Sequence, residues 1–210
     1  MNVQLQQVKP EEIERESFRI LEAELGPTTH SLEEFAVVRR VIHATGDFSF
    51  AESLRFHPAA MAAARQAILG GKNVLADVTM SATGISKGLL AKHGGQVLCG
   101  VGDPEVAAEA KAKGLTRSEM AIRKLAGANI GIVAIGNAPT ALLEVMRLIE
   151  EGFFRPDLVV GVPVGFVNAA ESKAILAEKT YPFITTLGRK GGSPVAAATV
   201  NALLRLVEEG

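Results

Sequence analysis

The stretch "SLEEFAVVRRVIHATGDFSF", residues 31–50, holds three side chains suited to proton and anion chemistry: Arg39, Arg40 and His43. Helical spacing puts the two arginines four and three residues before His43, on neighbouring parts of one face. Asp47, just past the turn, is placed to orient the imidazole. A histidine in a basic setting that attracts carboxylates suits general acid or base work. Two plainer readings stand beside this one. The carbonyls at a helix C-terminus favour positive charge by themselves, and a histidine can serve as a hydrogen-bonded core group. Ser17 adds a second polar hint, because it interrupts the stripe of Ile13, Ile20 and Leu21. Such a serine can also bond back to its own helix.

Further candidates fall where strands end. "TMSATGIS" follows the first apolar run and is rich in hydroxyls; Thr83 lies within it. "GNAPTA" presents Asn137 beside backbone N–H groups at a helix start, an anion-receptive arrangement. "GVPVGFVNAAESK" and "GRKGGSPVA" follow two later runs. Together these loops predict a wide, polar site along one sheet edge.

The elements that position them follow from five short runs: "NVLADV" (73–78), "QVLCGV" (96–101), "NIGIVAI" (129–135), "DLVVGVPV" (157–164) and "PFITTL" (182–187). Each is apolar on both sides of the pleat, as strands of a doubly covered parallel sheet are. Helical patterns alternate with them over 103–113, 116–127, 138–151, 168–179 and 194–208. Asp103-Pro104 and the Thr116/Glu119 pair mark two of the helix starts. Ahead of the first run only helices are expected: one stopped by Gly26-Pro27, one opened by Ser31 and Glu34 and closed by Gly46, and one over 58–70. The predicted fold is α/β, a three-layer sandwich with a mostly parallel sheet of about five strands and an N-terminal helical segment. No linker or repeat interrupts it, so residues 1–210 read as one domain.

Composition narrows the function. Basic and acidic residues nearly cancel, at 22 against 23, so no global field draws nucleic acid. Trp is absent and there is a single Tyr, which leaves little surface for stacking bases. Cys99, the sole cysteine, has no disulfide partner within the chain, and a reducing cytoplasm is expected. "MNVQLQQVKPEEIERE" lacks a signal-peptide core, and the longest apolar runs are broken by Gly, Asn and Pro, so neither secretion nor membrane insertion is expected. "GRKGGSP" lacks the lysine of a phosphate-binding P-loop, and "GIVAIGNAPTA" lacks dinucleotide-binding spacing. "GISKG" has the form of a nucleophile elbow around Ser86. Its context opposes a hydrolase, because the strand ends several residues earlier and the only later histidine, His93, is a few residues away with no acid between. The four histidines lack metal-ligand spacing, so no protein-bound metal is expected.

Read together, "RRVIHATGDFSF", "NVLADVTMSATGI", "TRSEMAIRKL", "VAIGNAPTAL", "GVPVGFVNAAESK" and "GRKGGSPVAAATVNALL" resemble precorrin-8X methylmutase and its cobalt-precorrin-8 counterpart. The resemblance runs from about Ser17 to the C-terminus. It implies an isomerase of vitamin B12 biosynthesis that moves a methyl group from C11 to C12 of a contracted tetrapyrrole, giving hydrogenobyrinate or cobyrinate. It further implies that no nucleotide or redox cofactor is consumed, and that any cobalt belongs to the substrate. By the same likeness His43 matches the family's catalytic histidine, protonating the macrocycle and then recovering the proton. Arg40 is implied to receive a substrate carboxylate, with Ser17, Thr83, Arg117 and Asn137 as further pocket residues. A homodimer with the pocket at the subunit interface is implied too, Arg117 reaching the partner's site. The "GRKGGSP" and "ADVTMSATGI" forms lean toward the cobalt-handling branch. A non-catalytic corrinoid carrier on the same fold is the competing reading.

Overall fold

The computed structural model describes residues 8–209; the first seven residues of the stretch read above for a signal peptide lie outside them. A 3₁₀ turn, Pro10–Glu12, leads into α1 (Ile13–Leu25). Helix α2 (Leu32–Thr45) starts from a capping box. The Ser31 hydroxyl accepts from the Glu34 N–H at 3.3 Å, and the Glu34 carboxylate accepts from the Ser31 N–H at 2.9 Å. It ends at Gly46, whose φ of 65° is the left-handed conformation a side chain would oppose. The short α3 (Phe50–Ser53) and α4 (Ala60–Leu69) complete the N-terminal helices.

Between those two lies a difference from expectation. Leu54–Phe56 forms strand β1, so the sheet has six strands and the N-terminal segment is not purely helical. β1 pairs antiparallel at the edge with β6 (Phe183–Thr186), Leu54 opposite Thr186. Three residues carry too little periodicity to reveal a strand, and only the pairing with β6 creates it. The other strands fall within the five apolar runs: β2 (Asn73–Ala76), β3 (Val97–Leu98), β4 (Ile130–Ile135) and β5 (Leu158–Gly161) precede β6. These five are parallel, and the order across the sheet is β1-β6-β5-β4-β2-β3.

Alternate side chains feed two cores. Val74, Ile132, Ala134, Leu158, Val160 and Ile184 face α2, α4 and α11 (Ser193–Glu209). Leu75, Val133, Ile135, Val159 and Phe183 face α8 (Arg117–Leu125), α9 (Pro139–Glu150) and α10 (Ala169–Ala177). Each such side chain removed from water contributes on the order of 1.5–3 kcal/mol, which makes the covered sheet the main source of stability. α7 (Pro104–Lys113), capped by Asp103, packs on α8 over a small third cluster.

"TMSATGISKGLLAK" is a second difference. It is not an open loop but two short helices, α5 (Thr79–Gly84) and α6 (Lys87–Lys92). Their propensity is low, and α11 holds them. The Asn201 amide donates to the Gly84 carbonyl at 2.8 Å and accepts from the Ser86 N–H at 2.7 Å. Ser86 is therefore the residue before a helix, with α5 standing between it and β2, which is not the geometry of a nucleophile elbow.

Candidate active site

The sheet reverses its direction of growth between β2 and β4, and in open α/β sheets the ligand position lies beyond the carboxyl ends of the strands at such a point. The floor there is Asp77, fully buried, the residue after β2. The carboxylate accepts from the backbone N–H groups of Gly136, Asn137 and Ala138 at 3.1, 2.7 and 2.8 Å, and from the Ser81 hydroxyl at 3.2 Å. This corrects the expectation for "GNAPTA". Its N–H groups are not free for an outside anion, because the protein supplies the anion itself. Gly136 has to be glycine at this point, since a Cβ there would meet the Ser193 Cα and the Ser81 oxygen, each at 2.8 Å.

Three of the sequence candidates border this floor. Asn137 is exposed above it. Thr83 is exposed on α5, two residues beyond Ser81. Arg117, also exposed, opens α8 between Thr116, whose hydroxyl lies 3.1 Å from that of Thr140, and Ser118, whose hydroxyl donates to the Asp77 carbonyl at 3.3 Å. The expected polar edge also carries apolar groups. Met80, Val164, Phe166, Val167 and Leu187 are all exposed beyond strand ends.

Arg40 and His43, on α2, form a second group with Phe18 of α1, while Ser17, also on α1, lines a separate groove. Phe18 is its hub: the His43 ring meets it edge-on at 5.1 Å, and the guanidiniums of Arg39 and Arg40 lie 4.3 and 4.8 Å from its centroid. His43 is exposed, which excludes the core-histidine reading. Arg40 donates to Glu14 at 3.0 Å, and Arg39 to Glu22 at 2.6 Å. The Arg40 hydrogen bond holds the Glu14 carboxyl below its usual range. Both arginines thus have internal carboxylate partners, which is more than a helix dipole asks of them. They line a cleft of about 480 Å³ with Glu14, Phe18 and Arg205. Ser17 is half-buried in a shallow groove with Ile13 and Ile20.

Asp47 does not orient the imidazole. Its carboxylate accepts from Lys190 Nζ at 2.6 Å and from the Ser49 N–H at 3.0 Å, and these bonds, the lysine's first, hold its carboxyl down at about 2. That ion pair ties the end of α2 to the "GRKGGSP" loop, which follows β6. Lys173 was not anticipated. Fully buried on α10, it donates to the Thr186 hydroxyl at 3.2 Å and to the Lys190 carbonyl at 2.5 Å. Burial pushes its ammonium down to about 8. A signal existed in the sequence, since Lys173 shares a helical stripe with Ala169 and Leu176, both apolar. Asp77 likewise interrupts an apolar run in "NVLADV".

Comparison with known proteins gives this geometry its context. Residues 12–206 match the family described as CbiC, precorrin-8X methylmutase. A cobalt-precorrin-8 methylmutase of Priestia megaterium is 48% identical over 97% of this chain and 91% of its own. A precorrin-8X methylmutase of a Sinorhizobium species is 40% identical over 90% and 91%. The crystal structure of precorrin-8X methylmutase from Thermus thermophilus superposes with a TM-score of 0.88 at 44% identity, covering 95% of this chain and 97% of that one. The class is therefore an isomerase that transfers a methyl group within one molecule. The chain belongs to the precorrin-8X methylmutase family of cobalamin biosynthesis.

Proposed function

We propose that this enzyme moves the methyl group from C11 to C12 of precorrin-8X or cobalt-precorrin-8, with His43 as general acid and then general base. The observation that carries the proposal is the exposed imidazole on the last turn of a helix whose end is fastened, through Asp47 and Lys190, to the loop-rich edge of the sheet. His43 gives a proton to the macrocycle, which leaves C12 electron-poor; the methyl migrates from C11 to C12 with its bonding pair, and the electron deficit so passed to C11 is relieved when the imidazole takes the proton back and the ring's conjugation is restored. Substrate and product are isomers, so the step consumes no nucleotide or redox cofactor, and a cobalt ion, where present, travels with the substrate. Arg40 exchanges or shares Glu14 for a carboxylate of the ring's fringe, while Ser17, Thr83, Arg117 and Asn137 contact the remainder. The cobalt form is the favoured substrate, as the Priestia relative is named for it and is more similar than the Sinorhizobium one.

A second copy of the chain completes the pocket in this proposal. Phe166 and Val167 are 85% and 78% exposed on the loop after β5, a cost in water that a homodimer interface removes. The reaction is placed in the cytoplasm, where the lone Cys99 stays reduced.

The test is a visible-absorption titration of wild type and His43→Ala with hydrogenobyrinic and cobyrinic acids, together with conversion of the two precorrin-8 forms. The expected result is that both proteins bind product and only wild type converts precursor. Wild-type turnover by His43→Ala would remove the histidine from the mechanism. Binding without turnover by wild type would point to a carrier.

A further inference from the structure

Among the described residues, the Lys173 ammonium is a buried cation with no carboxylate bonded to it, and it sits where the chain turns from β6 toward α11. Taking an ammonium out of water is costly, and a helix could fill the same volume with an uncharged side chain. What Lys173 gains is a grip on one peptide. Its Nζ donates to the Lys190 carbonyl, and the Thr186 hydroxyl donates to that same oxygen at 3.0 Å. The peptide so held carries the Lys190 side chain out to Asp47 and Ser49, to which Nζ donates at 2.6 and 2.9 Å. Asp47 stands four residues after His43, one residue beyond the Gly46 cap of α2. The fragment between is short and stiff, because the Asp47 N–H donates to Thr45, whose hydroxyl is bonded back to Val41 in α2.

We propose that Lys173 is a positioning residue for His43: buried in α10, it fixes the Lys190 backbone, Lys190 fixes Asp47, and Asp47 sets the last turn of α2 on which the imidazole stands. The inference rests on the reading of His43 as the acid–base group, and it adds a support that begins on the opposite face of the sheet. The chain of contacts also explains why the loop needs Gly191 (φ 159°), where a Cβ would collide with the Val162 carbonyl. The loop passes that close to the β5 end because it is clamped there, Gly192 donating to Val162 and Gly165 to Arg189 at 2.8 and 3.2 Å.

The experiment compares wild type with Lys173→Met, Lys190→Met and the double variant by steady-state conversion of precorrin-8X, and by NMR of the histidine-labelled proteins. Lys173→Met preserves volume and removes the donor. Misplacing the imidazole slows proton delivery without weakening ring binding, so kcat falls roughly ten- to a hundred-fold at unchanged KM. The double variant is no slower than the slower single one, because both links serve one path. Lys190→Arg restores the Asp47 pair and most of the rate. The His43 ring resonances move in both single variants. Should Lys173→Met fail to fold, Lys190→Met with its Lys190→Arg rescue still decides, since the Lys190 side chain is 60% exposed and its removal leaves the core intact. Unchanged kcat together with unmoved His43 resonances in folded Lys173→Met, or multiplicative losses in the double variant, would overturn the relay. Failure of the His43 reading looks different: His43→Ala turns over normally, while the resonance shifts still report whether the relay exists.

Discussion

At the residue scale, the buried charges are the most informative groups. Asp77 satisfies three consecutive N–H groups with one carboxylate, an arrangement that an amide cannot reproduce because its NH₂ would face donors. Asp77→Asn is expected to lower stability by on the order of 2–4 kcal/mol in urea unfolding and to weaken product binding, as the Asn137 turn loosens. Lys173 makes a pH prediction. Its folded value of about 8 lies below the 10.5 of a free lysine, so between those values the unfolded chain holds the extra proton. Stability contributed by this group therefore rises with pH across that window, by up to ~1.4 kcal/mol per pH unit, and is flat below it. Unfolding of wild type and Lys173→Met at pH 7.5, 9 and 10 checks this, the variant losing the slope. Glu14 predicts the opposite kind of effect. If it occupies Arg40 until substrate arrives, Glu14→Gln raises affinity for the carboxylate-rich product several-fold, read by absorption titration.

At the element scale, packing overrode local preference in two places. α5 and α6 exist because Asn201 on α11 bonds one carbonyl and one N–H across their junction. Asn201→Ala leaves both groups unpaired, and a loss of about 1–3 kcal/mol is expected, with hydrogen exchange accelerating first in residues 79–92. β1 exists because β6 offers an open edge. The capped helices were legible beforehand, since capping boxes at Ser31 and Thr116 and the Asp103 cap are local chemistry written within three or four residues.

At the whole-molecule scale, the exposed apolar group on the loop after β5 makes the assembly testable. If the proposed homodimer uses this loop, Phe166→Glu shifts it to monomer in sedimentation equilibrium and lowers kcat with it, while the single-chain fold, read by circular dichroism, stays intact. A dimer that survives the substitution would place the interface elsewhere.

The sequence by itself determined the parallel α/β layering, because a strand covered on both faces must be apolar at every position. It determined His43 at a helix end as well, because capping and spacing are local. Tertiary structure alone decided the partners of those charges. Asp47 turned from His43 to Lys190, 143 residues away; Arg40 met Glu14 across 26 residues; and Asp77 took N–H groups about sixty residues on. A charge pairs with whatever the completed fold brings within about 3 Å, and its local spacing carries no record of that neighbour.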